Sequence, residues 1–240
     1  MLKRVILDNT SFHCSNCMIG HLCMAETITA NDINNIDTLI KERIRVNKGS
    51  LLFKSNDPLK SIYSIRSGTF KTQLENENGQ MQITGFFLPG ELIGLDGFAN
   101  DYHKSNAIAL EDSEVCVIRL ADLDRLALHD SAVQSQFRKF LSMEISRSHH
   151  LILSLGSLRS EQRVASFLIN LSQRFAKLGY SHSEFNLRMS RSDIGNYLGL
   201  TLETVSRLLS RFAHDGIIAI HQREVKILDH DALAKLLHSD

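Results

Sequence analysis

At 240 residues, 43% of them hydrophobic, the chain is long enough to fill one large core or two ordinary ones. Its 27 Lys and Arg balance 27 Asp and Glu, so bulk charge names neither a nucleic acid nor a membrane surface as partner. No stretch is apolar enough to span a bilayer, and MLKRVILDNTSFHC has too short an apolar run for a signal peptide, so the expectation is a cytoplasmic protein with no membrane partner.

Residues 1–28 form a cysteine-rich segment in which CSNCMIGHLC places Cys14, Cys17 and Cys23 close together; the only other cysteine is Cys116, in Val115-Cys116-Val117-Ile118. In a reducing compartment such clustering points to thiolate chemistry rather than disulfides, and a fold can bring a distant fourth sulfur to a local trio. Iron-sulfur and zinc both accept four thiolates. Thr27 to Arg43, with Ile33, Ile36, Leu39 and Ile40 spaced between polar residues, predicts a short amphipathic helix. From Ile44 to Leu120 the pattern becomes short strands separated by Lys48-Gly49, Asn56-Asp57-Pro58, Ser67-Gly68 and Pro89-Gly90, as in a barrel or roll. GFFLPGELIGLDG lacks the order of strand, GxGxxG and helix that a dinucleotide site requires.

From Asp122 to about Ser157, the residues Val133, Phe137, Phe140, Leu141, Ile145, Ile152 and Leu155 recur at helical spacing, predicting one long helix. Ser148 and His149 fall where its repeat calls for an apolar residue, which weakens a helix-helix contact there. Burial against its own domain and pairing with a second copy are both open at this point. Gly156 and the surrounding serines mark a boundary, after which Ser160 caps a helix running to about Leu178 with Val164, Phe167, Leu168 and Leu171 on one face.

MSRSDIGNYLGLTLETVSRLLSRF carries the most specific signal of the second half. Ser190 and Asp193 form a capping box, Leu198-Gly199-Leu200 a tight turn, and Thr201 a second cap; small Gly195 permits close helix crossing. These are the parts of a helix-turn-helix. Glu203, Ser206, Arg207, Ser210 and Arg211 then face outward on the second helix. Arg207 suits guanine O6 and N7, Glu203 suits cytosine N4, and Ser206 suits either base, while Arg211, Arg191 and Thr201 sit nearer phosphates. Ile217 to Ile220 and Val225 to Leu228 bracket a four-residue turn, His221 to Glu224, as a wing would. Residues 159–240 hold eleven Lys and Arg against nine Asp and Glu, a net of two, so DNA affinity has to come from local placement.

Four motifs thus stand in one order: the C-x2-C-x5-C trio with its distant cysteine, ITGFFLPGELIGLDG at Ile83 to Gly97, the long helix, and IGNYLGLTLETVSRLLSRF at Ile194 to Phe212. Over almost its whole length the chain resembles the CRP/FNR superfamily of bacterial transcription regulators, within it the branch of the fumarate and nitrate reduction regulator. The resemblance implies an α+β architecture: a β-roll sensor domain over residues 29–121, similar to cyclic-nucleotide-binding domains, a dimerisation helix over 122–158, and a winged helix-turn-helix over 159–240. It implies an oxygen-responsive activator or repressor, not an enzyme, in which Cys14, Cys17, Cys23 and Cys116 ligate a four-iron four-sulfur (4Fe-4S) cluster, zinc being the alternative. It places Glu203, Ser206 and Arg207 at base-reading positions for TTGAT-like inverted repeats in double-stranded DNA. It further implies a homodimer through Ile145, Ser148, Leu151 and Ile152, and RNA polymerase as a partner. Members of the branch can carry an acidic residue where this chain has Ser148, so repulsion between paired helices is weaker here. Cyclic-nucleotide members place a carboxylate where Leu95 stands and an Arg-Ser pair that Lys104-Ser105 only partly echoes, which disfavours a small-nucleotide effector. An iron-sulfur electron carrier or enzyme is the weakest alternative, since it gives the winged helix no purpose and no acid-base pair emerges.

Overall fold

Between residues 40 and 119, β-branched and aromatic residues are interrupted every few positions by turn formers, and the chain forms two antiparallel sheets from them. The computed structural model describes residues 2–6 and 39–238, in two compact units, Met1–Ile145 and Ser146–Asp240. In the first unit a 5-stranded sheet runs β1-β2-β9-β4-β7, with β1 Leu2–Ile6, β2 Ile40–Val46, β4 Ser61–Ser67, β7 Leu92–Ile93 and β9 Ser113–Arg119. A 4-stranded sheet runs β3-β8-β5-β6, with β3 Leu51–Phe53, β5 Phe70–Glu75, β6 Met81–Phe87 and β8 Asn106–Ala109. Ile44, Ile65, Val115 and Val117 of one sheet meet Phe53, Phe70, Phe87 and Ala107 of the other in a shared core, which gives the expected roll.

Two expectations are corrected in this unit. The helix predicted to reach Arg43 is a strand from Ile40 onward, and the rest of that prediction lies outside the described residues. The reason is tertiary: β2 pairs with β1 on one side and β9 on the other, with Arg43 opposite Cys116, and two ladders override a helical spacing that rested on few apolar residues. The long helix, secondly, is two: α1 Leu120–His129 and α2 Ser131–Ser157. Asp130 divides them, donating its N–H to Leu126 O at 3.0 Å to close α1 while its carboxylate accepts from the N–H groups of Ala132 and Val133 at 2.9 and 3.3 Å to open α2.

Burial of the long helix against its own unit is confined to its first part. Leu123 of α1 and Val133 of α2 are buried with Ile62, Leu92 and Ile118 of the sheet, and Phe137 and Phe140 pack against the same cluster. Further along α2, Met143, Ile145 and Leu153 are exposed, and Ile152 is 67% exposed.

The second unit contains α3 Ser160–Lys177, α4 Arg191–Leu198, α5 Leu202–His214 and α6 His230–Lys235, with a 3-stranded sheet in the order β10-β12-β11. Its strands are β10 Glu184–Asn186, β11 Ile218–His221 and β12 Glu224–Ile227. The cap of α3 is Arg159, whose N–H donates to Gln162 Oε1 at 2.8 Å, and Ser160 is already the first helical residue. The wing turn is tighter than predicted, because His221 pairs with Glu224 and leaves only Gln222 and Arg223 to turn, Gln222 at φ 54.

Candidate functional site

The helix-turn-helix forms as its local signals dictate. Ser190 N–H donates to Asp193 Oδ2 at 2.9 Å and Asp193 N–H returns to Ser190 Oγ at 3.0 Å, completing the capping box of α4. Gly199 ends that helix at φ 64, and Thr201 Oγ1 accepts from Thr204 N–H at 3.2 Å to start α5. A Cβ at Gly195 would lie 2.6 Å from Leu200 O, so only glycine allows the turn to fold this closely over α4. Val205, Leu208, Leu209 and Phe212 are buried along one side of α5. Glu203 and Arg207 are exposed and Ser206 half-buried on another side, and among the described residues neither charged group is engaged by a partner.

The expected phosphate residues are placed differently. Arg211 pairs with Glu161 of α3, and its Nε lies 3.9 Å from Asp215. Arg191 donates from Nη2 to Gln222 O of the wing turn at 3.1 Å, while its Nη1 is buried without a hydrogen-bond partner. Burial, and then the nearby Arg223 guanidinium, lower its pKa. Arg223, which the sequence did not single out, donates to Arg188 O at 3.1 Å. Two guanidiniums thus crowd between the wing and α4, a combination that attracts an anion.

Cys116 is 7% exposed on β9. Val115 and Val117 point into the roll, so Cys116 and Ile118 occupy the opposite face by strand alternation. Its ladder neighbours are Arg43 on β2 and Ser64 on β4, both buried. Two residues back on that face, Glu114 is approached by Arg66 at 3.0 Å, Arg45 at 3.3 Å and Arg43 at 3.7 Å. Three guanidiniums against one carboxylate leave that stretch of the β9 face with a net positive charge. Cys14, Cys17 and Cys23 lie outside the described residues. Among the described residues no group of three or more His, Cys, Asp or Glu could hold a metal ion. The surroundings of Cys116 fit an anionic four-thiolate centre.

A further polar cluster lies in the roll. Asp96 Oδ2 accepts from Lys104 N–H at 3.0 Å, Ser105 N–H at 2.8 Å and Ser105 Oγ at 2.7 Å. Asp96 Oδ1 lies 3.3 Å from Nδ1 of His103, a buried ring stacked on Phe53 at 3.7 Å between centroids. Burial pushes the Asp96 carboxyl up, but the hydrogen bonds from His103 and Ser105 outweigh it, and its pKa lies below the ordinary carboxylate value. Sequence reading noticed Lys104-Ser105 and missed Asp96, whose partners lie seven to nine positions away.

Comparison with known proteins agrees with these parts. Residues 43–130 match the cyclic nucleotide-binding domain and residues 162–236 the Crp-like helix-turn-helix domain. The chain is 55% identical over 237 residues to the transcriptional regulatory protein btr of Bordetella pertussis, covering 99% of this chain and 98% of that one. It is 42% identical over 236 residues to the fumarate and nitrate reduction regulatory protein of Escherichia coli K12, covering 98% and 94%. Among solved structures, FixK2 from Bradyrhizobium japonicum aligns with a TM-score of 0.76 at 29% identity, over 82% of this chain and 98% of that one. Among the described residues no helix is long and apolar enough to cross a membrane. A nucleotide-binding-type roll, a long helix and a capped helix-turn-helix, matched end to end by known regulators, make this chain a member of the CRP/FNR family of DNA-binding transcription regulators.

Proposed function

We propose that the chain is a cytoplasmic, oxygen-responsive regulator that binds TTGAT-like inverted repeats as a homodimer, with Cys14, Cys17, Cys23 and Cys116 holding a four-iron four-sulfur cluster. When bound, such a cluster supplies a centre whose ligation oxygen can disrupt. The observation that carries this reading is the position of Cys116. It shares the outer face of β9 with Ile118, which packs against Leu123 and Val133 at the beginnings of α1 and α2. Movement of the strand at Cys116 therefore reaches the base of the long helix within two residues. The arginines gathered at Glu114 offset the negative charge of four thiolates.

Exposed Ile145 and Ile152 lie two helical turns apart on α2, with exposed Ser148 between them and Leu151 half-buried, and they supply the apolar stripe that a second copy would cover. In the dimer, Glu203, Ser206 and Arg207 read bases, Thr201 lies near the backbone, and Arg191 with Arg223 receives a phosphate between α4 and the wing. Arg211, held by Glu161 and Asp215, orients α5 rather than gripping DNA. RNA polymerase is the further partner that the family supports.

The nucleotide-effector reading is disfavoured by Asp96. The Lys104 N–H and the N–H and hydroxyl of Ser105, where related domains receive a phosphate, already serve this chain's own carboxylate. Anaerobic purification with iron, sulfide and zinc analysis, followed by air exposure, tests the proposal. The expected protein is coloured, contains iron and sulfide, and loses colour and inverted-repeat binding in air. A colourless anaerobic protein with one zinc and no iron would sink it.

A further inference from the structure

Arg163 stands on the second turn of α3, in line with Phe167 and Leu171 on the buried side, where a charged residue needs a reason. Its guanidinium supplies one. Nε donates to Leu158 O at 2.9 Å, Nη2 to Leu155 O at 2.8 Å and Nη1 to Leu198 O at 3.0 Å. Leu155 belongs to the last turn of α2, Leu158 to the link that follows, and Leu198 is the final residue of α4. Carbonyls at helix C-termini lack intrahelical donors and carry the negative end of the helix dipole, so one cation satisfies two helix ends at once. Gly199 touches the same point: a Cβ there would lie 3.3 Å from both Arg163 Nη1 and Leu155 Cδ2. The turn of the helix-turn-helix is thus seated directly on the end of the long helix, with the Arg163 side chain bonded to both.

We infer that Arg163 is a positioning residue that fixes the angle of the helix-turn-helix relative to the end of α2, and through it the half-site spacing that the dimer accepts. The inference rests on the proposed dimeric binding to inverted repeats. Two recognition helices reach successive major grooves only if each is held at a set angle to the shared dimer axis. A rigid planar fork bonded to three carbonyls from three segments provides that constraint. A lysine keeps the charge but, as a flexible point donor, cannot hold the three carbonyls in one geometry.

The experiment compares the full-length wild type with Arg163→Lys and Arg163→Met, the latter keeping the stem without donors. Binding is measured anaerobically on an isolated half-site and on inverted repeats whose central spacer is lengthened or shortened by one or two base pairs. The wild type should prefer one spacer by about tenfold or more, since misplacing one half-site forfeits its effective concentration. Folded variants should keep the half-site affinity, with the spacer preference falling to about twofold. A variant with native thermal stability and the wild-type spacer preference overturns the inference, as does unfolding of both variants, which would make Arg163 a stability residue. Wild type that binds no inverted repeat defeats the dimeric reading instead, a result separate from either.

Discussion

Arg207 extends from α5 without a carboxylate to hold it, unlike Arg211 one turn later, which Glu161 and Asp215 engage. The two should respond differently to truncation. Arg207→Ala is expected to cost about 1–3 kcal/mol of discrimination at one base pair of the half-site, read from binding to a panel of single-base variants. Arg211→Ala should weaken all sequences alike, and unchanged base preference in the Arg207 variant would mean that another residue reads that base. Asp96 makes a prediction of a different kind. Its carboxyl titrates lower in the folded chain than in the unfolded one, where about 3.9 applies. The stability it contributes is therefore present above that value and is lost as pH falls through the folded-state pKa. In urea unfolding, the gap between wild type and Asp96→Asn should hold steady from about pH 7 to 5 and narrow on further acidification. A gap that stays constant to about pH 2 would show that the carboxylate's charge is irrelevant.

At the scale of elements, the helix-turn-helix was legible because everything that makes it is local: a capping box three residues apart, a turn glycine, a threonine cap and an apolar stripe. Gly195 tests that logic. Alanine normally stabilises a helix by about 1 kcal/mol over glycine, but here its methyl meets backbone oxygen, and Gly195→Ala should destabilise by about 1–3 kcal/mol in chemical denaturation. Gly156→Ala, where nothing lies within 4 Å of the added Cβ, is the control and should be neutral or stabilising by up to about 1 kcal/mol. Elements decided by distant partners were harder to read. The opening residues of the Ile40–Val46 strand, Ile40 to Arg43, looked helical because their partners on β9 lie some seventy positions away. The break at Asp130 was hidden because Leu123 and Val133 join one apolar cluster across it. β10 is three residues long, too short for any periodicity. Arg163 left one trace, a charge in register with Phe167 and Leu171, and that trace does not reveal which carbonyls it meets.

For the whole molecule, the exposed apolar residues of α2 set the expected assembly. Ser148→Asp should shift sedimentation of the anaerobic protein toward monomer and weaken inverted-repeat binding while leaving half-site contacts intact, since two like charges would face each other across the paired helices. Ile152→Asp should do the same more strongly, because Ile152 is 67% exposed and its burial would be forfeited. If neither variant alters the sedimentation coefficient, the copies meet through another surface.

The Asp96 cluster carries a consequence for how such a protein can listen to its surroundings. A receptor loaded by a diffusible molecule reports that molecule's concentration, because occupancy rises and falls with supply. The carboxylate of Asp96 that accepts from Ser105 is tethered to the chain, so its effective concentration at those donors does not vary with any cellular pool. On the proposed reading, that tether makes the roll a rigid mount, and signals enter through the cysteines instead.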